Sequence, residues 1–132
     1  MQVSEVLERK GKNVVTLRPD IAVQSAVAEL AKHNIGAVIL SGNGRRVEGI
    51  VTERDIVRGL AKHGAAYLEK KLADVTLHDV YSCKPSDDLY TVMVFMRRRR
   101  IRHMPVTVNG MLCGMISIVD VLREYLAKAN IK

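Results

Sequence analysis

The fold is decided by the stretch Gly49-Ile50-Val51-Thr52-Glu53-Arg54-Asp55-Ile56-Val57, which the chain repeats once. The second copy is Gly114-Met115-Ile116-Ser117-Ile118-Val119-Asp120-Val121-Leu122, which begins 65 residues further on (114 minus 49). Each copy has the pattern of an apolar strand that ends at a hydroxyl residue, with an acid in the first turn of the following helix. Such self-similarity predicts two copies of one structural unit of roughly sixty residues.

The repeat continues upstream at an offset of 66, and it predicts the order β-α-β-β-α in each copy. The matched pairs are Thr16 with Ser82, Pro19 with Pro85, Val23 with Leu89, and Ile35 with Ile101. In the first copy we expect strands over 14–17, 35–40 and 47–51, a helix capped by Asp20 and a second helix from Thr52 to Gly64. In the second copy we expect strands over 80–83, 101–108 and 111–116, a helix capped by Ser86, an Asn109-Gly110 hairpin turn and a last helix from Ser117.

This order gives an α/β (α+β) fold in which residues 1–13 form a lead-in helix. Residues 14–72 then make the first repeat and residues 73–132 the second, with the weakly helical segment 65–75 as a linker. Each repeat alone has too little core to be comfortably stable. We therefore expect the two repeats to pack against each other with pseudo-twofold symmetry.

Composition excludes several classes of protein. A hydrophobic fraction of 48% argues against disorder, and no run approaches the roughly 18 apolar residues that a membrane span needs. The first residues have no signal-peptide pattern, which favours a cytoplasmic location. Cys83 and Cys113 have no metal-ligand spacing and are expected to be buried free thiols. The formal charge of +7 favours an anionic partner.

The motifs Thr52-x-x-Asp55 and Ser117-x-x-Asp120 carry the chemistry of the repeat. Each is a capping box, in which the hydroxyl accepts from a first-turn amide and the acid reaches back to the cap residue. The same junction also offers free amides to an anion, while the carboxylate can accept both hydroxyls of a ribose. Hydroxyl and acid at this spacing therefore suit a ribose phosphate as well as a helix cap.

Three segments resemble a tandem pair of cystathionine-beta-synthase (CBS) domains, the Bateman module. They are Gly49-Ile-Val-Thr-Glu-Arg-Asp55, Ile101-Arg-His-Met-Pro-Val106 and Gly114-Met-Ile-Ser-Ile-Val-Asp120. Because nothing is fused to the pair, the chain is also similar to small stand-alone bacterial and archaeal CBS proteins. The resemblance implies a regulatory module, not an enzyme, that senses an adenosine-containing ligand such as AMP, ADP, ATP, NAD(H) or S-adenosylmethionine. It also implies a flat homodimer, no catalytic cofactor and an unidentified regulated protein as partner. The expected dimer contacts are the apolar helix faces Ile56-Val57-Leu60 and Val121-Leu122-Leu126.

The resemblance also implies two crossed ligand sites in the cleft between the repeats. In one site Thr16, Ile35 and Ala37, with Gly36 allowing close approach of the base, would join Ser117 and Asp120. In the other site Ser82, Ile101 and His103 would join Thr52 and Asp55. In both sites the acid would bind the ribose diol and the hydroxyl residue would lie near the phosphate.

The two copies differ at positions that predict unequal sites. Glu53 and Arg54 of the first copy are replaced by Ile118 and Val119 in the second, and Gly36 is replaced by Arg102. The site built on Asp120 is therefore expected to lack the local cation that Arg54 offers.

The run Arg97-Arg98-Arg99-Arg100, followed by Arg102 and His103, has three open interpretations. The first interpretation is a solvated helix C-terminus, where the helix dipole favours cations. The second is that one or two of these residues, Arg102 first among them, bind a phosphate. The third is a nucleic-acid surface over 97–102. The other histidines, His33, His63 and His78, have no metal-site spacing and are expected at the surface. The sequence contains no Ser-His-Asp order, no glycine-rich phosphate loop and no carboxylate pair placed for hydrolysis.

Overall fold

The computed structural model describes residues 1–76 and 80–130, and the chain divides into two compact units. One unit is Val14–Val80 and is called the continuous unit; the other combines Met1–Asn13 with Tyr81–Lys132 and is called the split unit. The helices are α1 (Val3–Lys10), α2 (Val23–His33), α3 (Glu53–His63), α4 (Leu72–Val75), α5 (Leu89–Arg99) and α6 (Ile118–Lys128). The strands are β1 (Thr16–Leu17), β2 (Ala37–Leu40), β3 (Gly49–Thr52), β4 (His103–Val108) and β5 (Met111–Ser117), so the predicted α+β class is confirmed.

The continuous unit is built on a three-stranded sheet in the order β1-β2-β3. Strand β1 runs parallel to β2, and β2 runs antiparallel to β3, with Ala37 opposite Thr52 and Leu40 opposite Gly49. All four residues of β2 are buried, as an uninterrupted apolar run predicts for a central strand. The pairing places the end of β3, where the repeated motif starts its helix, beside the beginning of β2.

The split unit is built on the β4-β5 hairpin, which closes with the predicted Asn109-Gly110 turn. Both turn residues have positive φ, 53° and 78°, which is the geometry of a tight hairpin turn. His103 lies opposite Ser117 in the antiparallel pair. The strand predicted over 80–83 is wrong in the described residues, where only Cys83 makes a single parallel bridge, to Val106.

The predicted caps Asp20 and Ser86 are wrong by two residues each. Helix α2 follows Ala22, whose side chain caps nothing, and the Val23 amide donates to the Lys70 carbonyl at 2.8 Å instead. Helix α5 is capped by Asp88, whose carboxylate accepts from the Thr91 amide at 3.0 Å. A tertiary contact and a stronger local acceptor therefore override the nearest cap-forming residue.

The segment predicted as a linker, 65–75, belongs to the core of the continuous unit. It forms a 3-10 helix, Gly64–Glu69, and then α4. Tyr67 and Leu72 are 5% and 0% exposed, and the Tyr67 ring lies so close to α3 that a Cβ on Gly59 would come within 2.1 Å of it. The charged residues of this segment are exposed. Because such residues are frequent in it, the sequence alone does not predict that Tyr67 and Leu72 are buried.

Helices α1 and α4 occupy equivalent places in the two units. The amides of Val3 and Ser4 donate to the carbonyls of Asp87 and Pro85, and those of Leu72 and Ala73 donate to the carbonyls of Ile21 and Pro19, all at 2.9 to 3.0 Å. The acceptors are 66 residues apart, which is the repeat offset (87 minus 21 and 85 minus 19). Each repeat therefore takes its lead-in helix from the segment that precedes the other repeat.

The lead-in helices explain why each copy of the motif begins with glycine. A Cβ added to Gly114 would lie 2.7 Å from Leu7 Cδ2 of α1, and one added to Gly49 would lie 2.9 Å from Thr76 Cγ2, just after α4. Real Cβ atoms do not approach that closely, so any larger residue would displace the lead-in segment. Neither glycine has positive φ, so neither is needed for a left-handed backbone conformation. Both are needed because only glycine leaves room for the lead-in segment.

Each unit has its own apolar core. In the split unit the core contains Val3, Val6 and Leu7 of α1 together with α5, the hairpin and Val121. In the continuous unit it contains residues of α2, the three strands and α3 together with Tyr67 and Leu72. Across residues 1–76 and 80–130, no helix has the length and apolar character needed to cross a membrane.

Cys83 is buried and Cys113 is half-buried, and both are free thiols. Burial raises the pKa of Cys83 to about 12 and also raises the pKa of Cys113. The predicted buried thiol is thus confirmed for Cys83, while Cys113 is partly accessible.

Candidate functional site

In the continuous unit the junction between β3 and α3 forms the capping box that the sequence predicts. The Asp55 amide donates to Thr52 Oγ1 at 3.2 Å, and Asp55 Oδ2 accepts from the Thr52 amide at 2.9 Å. The Glu53 amide donates to the Gly36 carbonyl at 3.0 Å, which fixes the helix start against the beginning of β2. Gly36, Ala37, Thr52 and Asp55 are therefore neighbours in one unit.

In the split unit the junction between β5 and α6 repeats this geometry. The Asp120 amide donates to Ser117 Oγ at 3.1 Å, and Asp120 Oδ2 accepts from the Ser117 amide at 2.9 Å. The Ile118 amide donates to the Arg102 carbonyl at 2.9 Å. The two copies of the motif thus form the same local structure, residue for residue.

Each junction leaves one backbone amide available to an anion. The first and third amides of α3 are satisfied by Gly36 and Thr52, whereas the amide of Arg54 has no acceptor in the part of the chain that the structure describes. The amide of Val119 is in the same situation on α6. A free amide at the positive end of a helix dipole is suited to a phosphate oxygen.

The two acids differ sharply in their surroundings. Asp120 is only 8% exposed, and its Oδ2 also accepts from Lys10 Nζ of α1 at 2.6 Å, while Arg123 lies 3.7 Å from Oδ1. Asp55 is exposed, and within the described residues its carboxylate accepts a hydrogen bond only from the Thr52 amide. Val119 offers no cation where the first copy has Arg54, but α1 brings the Lys10 ammonium to Asp120 from 110 residues away.

Opposing effects determine the pKa of Asp120. Burial acts to raise it, but the hydrogen bonds from Lys10 and Ser117 and the charge of Lys10 outweigh burial and lower the pKa below its usual value. The carboxylate is therefore held in its charged form, paired with the ammonium of Lys10. The arrangement makes Asp120 part of an ion pair within the split unit.

Lys10 is the residue near the site that sequence reasoning missed. Its partner is remote in the chain, and no spacing rule links them. Arg123 could have been found, because it is three residues beyond Asp120 on the same helix and such pairs face each other. A small cavity beside the Lys10–Asp120 ion pair is lined in part by Arg9. The Arg9 guanidinium lies 3.4 Å from the buried Glu124 carboxylate.

The other predicted site residues divide between the units. Thr16, Ile35, Gly36, Ala37, Thr52, Arg54 and Asp55 are in the continuous unit, and Ser82, Ile101, Arg102, His103, Ser117 and Asp120 are in the split unit. Thr16 of β1 lies opposite Ile39 of β2. Ser82 and Arg102 are exposed. The crossed grouping of these residues stays a prediction.

The arginine run has a partly structural role. Arg97, Arg98 and Arg99 form the last turn of α5, and Arg100 ends it with a left-handed φ of 57°. The Arg99 guanidinium stacks over Tyr81 and Phe95 at 5.0 and 5.4 Å and donates to the Tyr81 hydroxyl. One arginine is therefore engaged within the unit, while its neighbours in the run are exposed.

The apolar helix faces predicted for dimer contact need correction. Ile56 and Val121 are buried in the cores of their own units, at 6% and 0% exposure. Val57, Leu122 and Leu126 are exposed, as is Val119, which was not predicted.

His33 and His63 are exposed as predicted, and His78 lies outside the described residues. Within residues 1–76 and 80–130, no three histidine, cysteine or acidic side chains are grouped to hold a metal ion.

The profile of the CBS domain family matches residues 3–62 and 72–127, so the chain belongs to the CBS domain family and carries two copies of the domain. Chains built only of CBS domains are generally regulatory rather than catalytic.

Solved structures of CBS-domain proteins share this fold. A CBS-domain containing protein of Agrobacterium tumefaciens is 39% identical with a TM-score of 0.89, covering 94% of this chain and 92% of that one. A CBS domain protein of Pyrobaculum aerophilum, complexed with AMP, is 27% identical with a TM-score of 0.80, covering 96% of this chain and 99% of that one. A mitochondrial CBS domain-containing protein of Arabidopsis thaliana is 31% identical over an alignment 132 positions long, which covers 94% of this chain. The chain spans only 64% of that relative's length.

Proposed function

We propose that the protein is a non-catalytic regulatory module that binds an adenosine-containing ligand at its strand-to-helix junctions. The observation that carries this proposal is the duplicated junction, in which a hydroxyl, a free amide and a carboxylate recur with the same hydrogen bonds. The amide suits a phosphate, and the carboxylate suits a ribose diol. The AMP complex of the relative from Pyrobaculum aerophilum supports an adenine nucleotide as the ligand.

We propose that the physiological ligand is one of AMP, ADP, ATP, NAD(H) and S-adenosylmethionine, and that the protein binds it in the cytoplasm. Ligand binding would be signalled to a regulated protein by shifting the population of conformations. We further propose that the chain acts as a homodimer, with the exposed apolar residues of α3 and α6 as its contact surface.

Thermal unfolding of nucleotide-stripped protein against each of these ligands tests the proposal. A ligand present at about a hundred times its dissociation constant adds roughly 2.7 kcal/mol to the free energy of unfolding, which raises the midpoint by several degrees. The 2′-deoxy form of the best nucleotide is the matched control, because it removes one hydroxyl of the diol and should give a smaller shift.

A midpoint that no adenosine ligand moves would contradict the proposal. A shift caused only by a short RNA, and abolished in moderate salt, would indicate that the exposed arginines bind nucleic acid instead.

A further inference from the structure

The two junctions share their backbone geometry but differ in what occupies their carboxylates, and this difference has a functional consequence. We propose that Lys10 determines which junction accepts a ribonucleotide. Its ammonium group occupies the Asp120 carboxylate, which leaves Asp55 as the acceptor for the ribose. This inference rests on the proposed function. It predicts one adenosine ligand per chain in a protein with two copies of the motif.

Half of the acceptor capacity of Asp120, all of it on Oδ2, is used within the protein. A ribose diol needs two acceptor positions on a carboxylate, which offers about four lone-pair sites. At Asp120, Oδ2 already receives the Ser117 amide and Lys10 Nζ, and Oδ1 faces the Arg123 guanidinium. A neutral diol that engages both carboxylate oxygens would have to displace a hydrogen bond at Oδ2, and the one from Lys10 is charge-assisted, roughly twice as strong as a neutral one.

Asp55 presents the opposite situation. Its Oδ2 receives one amide, that of Thr52, and its Oδ1 has no partner in the described chain. The residue is exposed, so a diol can reach it without breaking a protein contact. Arg58 stands three residues on, as Arg123 does from Asp120, yet no ion pair joins it to Asp55 within the described residues.

Lys10 is held in place by the core of the split unit. Val3, Val6 and Leu7 on the same helix are at most 2% exposed, so the end of α1 is positioned by packing and not by the salt bridge alone. Arg9 adds a second link to α6 through Glu124, at 3.4 Å. Exposed ion pairs contribute little, but the Lys10 and Asp120 side chains are only 32% and 10% exposed.

Calorimetric titration with AMP tests this assignment by counting sites. The parent protein should bind one AMP per chain, and Asp55→Asn should weaken that binding by about tenfold or more, since a charged acceptor of the diol is lost. Lys10→Met frees the Asp120 carboxylate and should raise the count to two. Lys10→Met combined with Asp120→Asn should return it to one.

Lys12→Met is the matched control, because it removes the same charge from an exposed position two residues further on, and it should keep one site. Lys10→Gln provides a second way to remove the ammonium, and circular dichroism checks that each variant keeps its helices.

Two AMP molecules per parent chain, an unchanged affinity in Asp55→Asn, or a count that stays at one in both folded Lys10 variants would overturn the inference. Loss of AMP binding in the Lys10 variants would also overturn it, by making Lys10 a ligand contact. Absence of AMP binding in the parent and in both Lys10 variants would instead contradict the proposed function for AMP.

Discussion

At the Asp120 carboxylate, burial and hydrogen bonding act on the pKa in opposite directions, and hydrogen bonding prevails. The folded pKa is lowered below the unfolded value of 3.8, so the unfolded chain binds more protons at acidic pH. The stabilisation is therefore fully present above the unfolded pKa and is lost as the pH falls through the folded pKa.

This sign gives a prediction for Lys10→Met. Removing Lys10 removes two of the causes that lower the pKa of Asp120, so the variant should lose stability at neutral pH and much less in acid. Urea unfolding from about pH 7 to about pH 3 measures the difference. The curves of parent and variant should converge as the pH falls, while Lys12→Met should follow the parent. Parallel curves for Lys10→Met would contradict the assignment.

At the scale of single elements, the close contact between Gly114 and helix α1 predicts a large effect of one methyl group. Gly114→Ala places a Cβ against Leu7, and overpacking of this kind costs about 1–3 kcal/mol. Denaturant unfolding measures the loss, and fluorescence of a dye attached near the start of α1 reports whether the helix moves.

The partner variant Leu7→Ala removes the colliding atoms and should itself cost about 2–5 kcal/mol. In the double variant the two losses should not add, because the new methyl group fills part of the space that Leu7 leaves. Additive losses would show that the contact does not exist as described.

The elements themselves were largely predictable, whereas their docking was not. The helices after Thr52 and Ser117 and the turn at Asn109 follow from local chemistry, and each lies where the sequence predicts it. The start of α2 was misplaced and the role of Tyr67 was missed because both depend on contacts between segments, whereas the cap of α5 was misplaced because Asp88 is a stronger local acceptor than Ser86. The candidate site shows the same limit, since both capping boxes were predicted but the Lys10 contact was not.

At the scale of the whole molecule, exposed apolar residues on α3 and α6 predict self-association. The parent should have a mass of about 29 kDa in light scattering, twice the 14.7 kDa of one chain. Leu122→Asp, at a residue that is 57% exposed, should yield the mass of one chain, because a buried unpaired charge opposes association.

Tyr90→Asp is the matched control, since Tyr90 is 59% exposed on α5, outside the proposed surface, and should leave the mass unchanged. A parent of 14.7 kDa would rule out the homodimer, and an unchanged mass in Leu122→Asp would move the contact away from α6.

The split arrangement of one unit sets an order of events during synthesis. The continuous unit is complete once residue 80 has left the ribosome, but helix α1, which is made before it, finds its core partners only in residues 81–132. At roughly 5–20 residues per second, those residues take several more seconds to appear. Throughout that interval the apolar side chains of Val3, Val6 and Leu7 lack the neighbours that bury them in the finished protein, although α1 is made before the whole of the continuous unit.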